Sequence, residues 1–124
     1  MNDIDYDQKN YQFRMRIEQL QENQLGIKKE QRQVEEQQEA FFYLQRKEQQ
    51  AYEFVLNSCE AEERVFYQDR GDESLYLAKK SQQELEEQQV ELEKEYRLLL
   101  DQEESVSEEQ TSFWKRKEGE SNGT

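Results

Sequence analysis

A chain of 124 residues has room for one domain, and only 32% of its residues are hydrophobic while 38% are charged. That ratio excludes a wide globular core, because too little apolar surface is available to offset the ordering entropy; what remains is disorder, or long thin helices that bury a narrow stripe. The formal net charge of −13, from 30 acidic and 17 basic residues, argues against nucleic-acid binding and membrane insertion and suits a partner with a basic face.

Between disorder and helix, proline decides. The chain has none, whereas disordered segments are usually rich in it and helix interiors exclude it. Glu, Gln, Leu, Lys and Arg dominate, all good helix formers. The expected class is all-α, an elongated antiparallel helical hairpin of the coiled-coil type, forming one unit over residues 1–118. The start, Met1 to Asp7, is acidic and has no apolar run, so no signal peptide is expected. No stretch approaches transmembrane length. These features predict a cytoplasmic protein, with export that needs no signal peptide left open.

Taken in chain order, Asn2 and Asp3 offer caps for a first helix, expected at about 3–68. Gly26 interrupts its pattern and reads as a tolerated glycine. Tyr6, Phe13, Leu20, Ile27, Val34 and Phe41 recur every seven residues, the condition for a coiled-coil seam. Beyond Phe41 the phase shifts to Tyr52, Cys59 and Phe66, a stutter, while Val55 keeps the old phase. Gly71, within Arg70-Gly71-Asp72, is the break that turn chemistry marks, since glycine can end one helix and Asp72 can cap the next.

The second helix is expected at about 73–117. Ala78, Leu85, Leu92, Leu99, Val106 and Phe113 repeat every seven residues along it. Residues 119–124 read as a disordered polar tail. In both helices the neighbouring stripe is glutamine-rich, with Gln31, Gln38 and Gln45 in the first and Gln82, Gln89 and Gln110 in the second. The seam is therefore weak and partly wet, and a further helix would improve it.

A reversal at Arg70 would pair Val55 with Leu85, Phe41 with Leu99, Val34 with Val106, and Ile27 with Phe113. Together with Leu92 these residues form the expected seam. One continuous helix in an intermolecular coil is the competing arrangement, and a swapped homodimer would use the same contacts. With the turn at Arg70, residues 1–24 overhang, leaving Tyr6, Phe13, Ile17 and Leu20 without a partner in the chain. They form a candidate protein interface. Phe42, Tyr43 and Phe54 exceed what a two-helix seam can cover, and Trp114, beside Phe113, either caps the hairpin end or anchors a partner.

Chemistry is sparse. No histidine is present, which removes the commonest general base and metal ligand. Cys59 lies on the heptad stripe, where a small buried hydrophobe is the usual role. Glutamate pairs such as Glu35-Glu36 and Glu108-Glu109 need a cleft to separate their pKa values, and a thin hairpin offers none. The expectation is a binding protein without catalytic, metal or cofactor residues.

Several features resemble a known group. They are the Glu/Gln-rich hairpin, the aromatic middle at Phe41-Phe42-Tyr43-Leu44 and Phe66-Tyr67, and the C-terminal Phe113-Trp114-Lys115-Arg116-Lys117. The chain resembles the small WXG-like helical partner proteins of LXG toxins in the Gram-positive type VIIb secretion system. It lacks the Trp-x-Gly turn and the Tyr/Phe-x-x-x-Asp export signal near the C-terminus. The resemblance implies a targeting factor or chaperone that packs on the helical N-terminal domain of a toxin, often alongside a second small helical protein. Two alternatives are a coiled-coil stalk like those of export-ATPase-associated proteins, with Arg70 and Asp72 at its tip, and a structural homo-oligomer.

Overall fold

The computed structural model describes residues 3–122. Two helices fill this range, α1 from Asp3–Ser58 and α2 from Ala61–Asn122, and they pack against each other as a hairpin. The all-α hairpin expected from composition and heptads is the fold.

The reversal lies at Cys59-Glu60, not at Arg70–Asp72. Gly71 is an interior residue of α2, and no described residue has a positive φ. Consequently α1 ends ten residues earlier than the expected boundary at 68, and α2 begins twelve earlier than the expected 73. Local chemistry explains the break. Asn57 and Ser58 are poor helix formers whose side chains compete for backbone partners. The Ser58 hydroxyl donates to Phe54 O at 2.7 Å, and Cys59 N–H makes a last helical bond to Val55 O at 2.8 Å. Arg64 reaches back across the turn to donate to Leu56 O at 3.2 Å, covering a carbonyl that the helix end leaves open. Glu62 and Glu63 then occupy the first turn of α2, where the helix dipole favours carboxylates.

At the other end α2 stays helical through Asn122, so the disordered tail expected from 119 does not begin there. Gly123 and Thr124, like Met1 and the proposed cap Asn2, lie outside the described residues. Gly26 is ordinary helix, and a Cβ placed there would meet nothing within 4 Å. No described helix is long and apolar enough to cross a membrane.

The chain forms two compact units. One joins the residues up to Glu30 with those from Leu92 onward. Its α1 seam is Tyr6, Asn10, Phe13, Ile17, Leu20, Gln24 and Ile27, and its α2 seam is Leu92, Tyr96, Leu99, Glu103, Val106, Gln110, Phe113 and Lys117. Tyr6 stacks on Phe113 at 5.3 Å between centroids, and Phe13 approaches the same ring at 5.7 Å. The Gln24 amide donates to Leu99 O at 3.5 Å and to Glu103 at 2.6 Å.

The second unit holds Gln31–Glu91 and contains the reversal. Its seam includes Val34, Gln38, Phe41, Gln45, Tyr52, Val55 and Leu56 on α1, and Tyr67, Gly71, Ala78, Gln82, Leu85 and Gln89 on α2. Tyr52 lies against Gly71, where a Cβ would stand 3.6 Å from its ring. Gln89 donates to Gln31 O at 3.0 Å, and the Ser74 hydroxyl donates to Glu48.

All nine expected seam residues are buried or half-buried, but not against their expected partners. Seam positions advance in steps of four and three along α1. An antiparallel partner presents the same steps in reverse. The two series coincide only when an a position faces a d position. The pairs Val55–Leu85, Phe41–Leu99, Val34–Val106 and Ile27–Phe113 would set a against a, which puts successive layers out of step. Gln24 lies against Leu99 and Tyr52 against Gly71, and the same register carried along the helices sets Gln110 opposite Phe13, Gln38 opposite Leu85, Gln82 opposite Phe41 and Gln89 opposite Val34. Five of these layers each combine one apolar side chain with one glutamine.

Candidate partner-binding surface

The mixed layers leave little fully covered. Among the described residues Val34, Leu92, Val106 and Phe113 are buried, whereas sixteen large hydrophobic side chains are exposed. Isolated exposed apolar residues are ordinary, but here they outnumber the buried ones on a thin hairpin.

The structure separates the expected interface residues into two sets. Tyr6, Phe13, Ile17 and Leu20 do not overhang. Because the turn lies nearer the middle of the chain, α2 reaches far enough to meet them, and all four are half-buried in the seam. Phe42, Tyr43 and Phe54 lie exposed, Phe54 at 72%. Trp114 is 41% exposed, and its indole N–H donates to Asn10 Oδ1 at 2.6 Å. The observed register brings it to Asn10 and Tyr11.

Several exposed rings carry a cation from the following helical turn. Arg46 lies 5.1 Å from the Phe42 centroid, Lys47 4.8 Å from Tyr43, and Arg70 5.1 Å from Phe66. Such contacts at exposed sites contribute about 0.5–1 kcal/mol each and shield one ring face. Arg70 thus serves a ring on α2 and is not at the hairpin tip. The tip instead carries Glu60, Glu62 and Glu63.

Grooves run beside the seam. Phe41, Phe42 and Leu85 line one of about 360 Å³, with Glu39 and Arg46 on its rim. Met15, Leu20 and Leu98 line another of about 840 Å³. Tyr11, Ile17 and Trp114 line a third of about 610 Å³. The sequence reading did not single out Tyr11, Met15, Leu25, Leu98 or Leu100. A signal for part of this set existed: Tyr11 and Leu25 share a phase two heptads apart, and in Leu98-Leu99-Leu100 only the middle residue can face the seam.

Glu103 is the seam's carboxylate. It accepts from Gln24 at 2.6 Å and from Gln21 at 2.9 Å. These amides, Gln24 first, hold its carboxyl below the usual carboxylate range against a smaller opposing push from burial. Cys59 is half-buried at the turn, its thiol 3.7 Å from Leu56 O. Among the described residues no group of three or more Cys, Asp or Glu side chains is placed to hold a metal ion.

No family model matches the chain, and no curated protein and no solved structure matches it.

Proposed function

We propose that this protein is a helical-hairpin adaptor that lays its apolar flanks against the helices of another protein. The observation that carries this reading is the imbalance between four buried and sixteen exposed large hydrophobic side chains among the described residues. A hairpin whose layers set glutamine against apolar residues gains stability when a further helix covers its flanks. The resemblance to WXG-like partners of LXG toxins supplies the partner class: the helical N-terminal domain of a secreted toxin, with a second small helical protein as a third member. In this reading the adaptor is a binding protein and not an enzyme. It acts in the cytoplasm, targets the toxin for type VIIb export, binds no nucleic acid and inserts in no membrane. Without its partner it forms a homodimer.

The stalk alternative drew on Arg70 and Asp72 at a hairpin tip. With the turn at Cys59-Glu60 those charges lie within α2, which removes that support.

The test is co-expression of the chain with the helical N-terminal domain of an LXG toxin, followed by light scattering of the purified species. A stable hetero-complex, weakened when Phe42, Tyr43 and Phe54 are changed together to Ser, supports the adaptor. A stable homo-oligomer that ignores such domains overturns it in favour of a structural coiled coil.

A further inference from the structure

The two flanks of the unit that contains both chain ends differ in charge. On one, Met15, Leu20 and Leu98 line the larger groove, but its charges offset each other, with Arg16 paired to Glu109 at 3.2 Å. On the other, Tyr11 and Trp114 line a groove floored by Ile17. Leu25 lies two heptads beyond Tyr11, and Leu100 two heptads before Trp114, so both share that flank. Tyr11, Leu25, Leu100 and Trp114 are all exposed. They form two apolar stations about 21 Å apart along the helices at 1.5 Å per residue.

The same flank carries Asp7, Glu18, Glu93 and Glu104, with the seam carboxylate Glu103 at its edge. Its basic residues are each engaged: Arg14 lies 5.5 Å from the Tyr11 centroid, Lys28 lies 4.0 Å from that of Tyr96, and Arg97 pairs with Glu93 at 3.2 Å. Trp114 is held by its hydrogen bond to Asn10 while part of its ring stays open, the arrangement of a preordered anchor.

We propose that this flank is the docking surface for a single amphipathic helix with a basic rim and large apolar residues fourteen positions apart. The proposal rests on the adaptor reading and specifies its partner chemistry. Apolar stations two heptads apart match the repeat of a facing helix, and the surrounding carboxylates select Lys or Arg beside that stripe. A second copy docked through the same flank would set carboxylates against carboxylates, a repulsion that disfavours it.

The only tryptophan in the chain is Trp114, so its emission reports on this groove directly. The probe is a tryptophan-free helical peptide with Leu at two positions fourteen residues apart and Lys on both rims, and the control has Glu on the rims. The Lys-rimmed peptide should shift Trp114 emission to the blue with a saturable curve. Its affinity should fall about tenfold when salt is raised from low to several hundred millimolar, and about tenfold in the Tyr11→Ser/Leu25→Ser variant. The Phe42→Ser/Tyr43→Ser variant should bind as the parent does. Failure to saturate, equal binding of the Glu-rimmed peptide, or dependence on Phe42 and Tyr43 would each overturn the proposal. So would a homodimer that Tyr11→Ser/Leu25→Ser dissociates in sedimentation. In the co-expression experiment, a hetero-complex indifferent to Tyr11→Ser/Leu25→Ser removes this surface and leaves the adaptor reading standing. Absence of any hetero-complex removes the adaptor reading itself.

Discussion

Gln24 of α1 faces Leu99 of α2, donating its amide to the Leu99 carbonyl at 3.5 Å and to the Glu103 carboxylate at 2.6 Å. This layer shows the hairpin's design in small: an apolar side chain on one helix, a glutamine on the other, and the polar group satisfied locally. Such a seam specifies register without supplying much buried apolar surface.

Relieving that mixture should stabilise the hairpin. Gln38 faces Leu85 and Gln82 faces Phe41 in half-buried positions. Gln38→Leu or Gln82→Leu should each raise unfolding stability by about 1 kcal/mol, a partial share of what full burial of a leucine contributes. Urea denaturation measures this, and a loss of stability in both would contradict the assigned layers.

Gly71 separates the two possible turns. Within α2 it has no positive φ, and a Cβ would make ordinary contact with Tyr52. Gly71→Ala should therefore stabilise the protein by roughly 1 kcal/mol through helix propensity. At a left-handed helix end the same substitution would destabilise.

Phe113 is 5% exposed and holds Tyr6 and Phe13 around its ring. Phe113→Ala should cost about 3 kcal/mol, at the low end for a core phenylalanine because its neighbours are half-exposed. Phe54→Ala, on an open face, should change stability by less than about 0.5 kcal/mol. Thermal melts of the two variants should differ accordingly.

Glu103 makes part of the stability pH-dependent. Its carboxyl is held below the usual range by Gln24 and Gln21, so the folded state prefers the ionised form. That contribution is complete above the usual carboxylate pKa of about 4.3 and is lost as pH falls through the depressed value. Glu103→Gln should melt below the parent at neutral pH, and the gap should close on acidification. A gap independent of pH would show that the carboxylate is not the stabilising species.

Much of this was legible in the sequence. Absent proline, sparse apolar residues and heptads from Tyr6 to Phe41 and from Ala78 to Phe113 specify paired helices and a thin seam. The turn was not legible, because the strongest punctuation, Gly71, is an ordinary interior residue of α2 beside Tyr52. The true break is carried by the weaker signals of Asn57-Ser58 and Glu62-Glu63. Misplacing the turn moved the register, which left Tyr6, Phe13, Ile17 and Leu20 as an overhang when they belong to the seam. It also hid Tyr11 and Leu25, whose flank becomes a surface only once Trp114 is brought beside Asn10.

The register is the claim on which the seam, the flanks and the partner surface all depend, and cysteine cross-linking tests it most directly. In a Cys59→Ser background, Gln24→Cys/Leu99→Cys should be joined efficiently by a short thiol-to-thiol cross-linker. Ile27→Cys/Phe113→Cys should not be joined, because those residues stand about 25 Å apart along the helices at 1.5 Å per residue. Efficient linkage of Ile27→Cys/Phe113→Cys, with none at Gln24→Cys/Leu99→Cys, would return the turn to Gly71 and contradict the account.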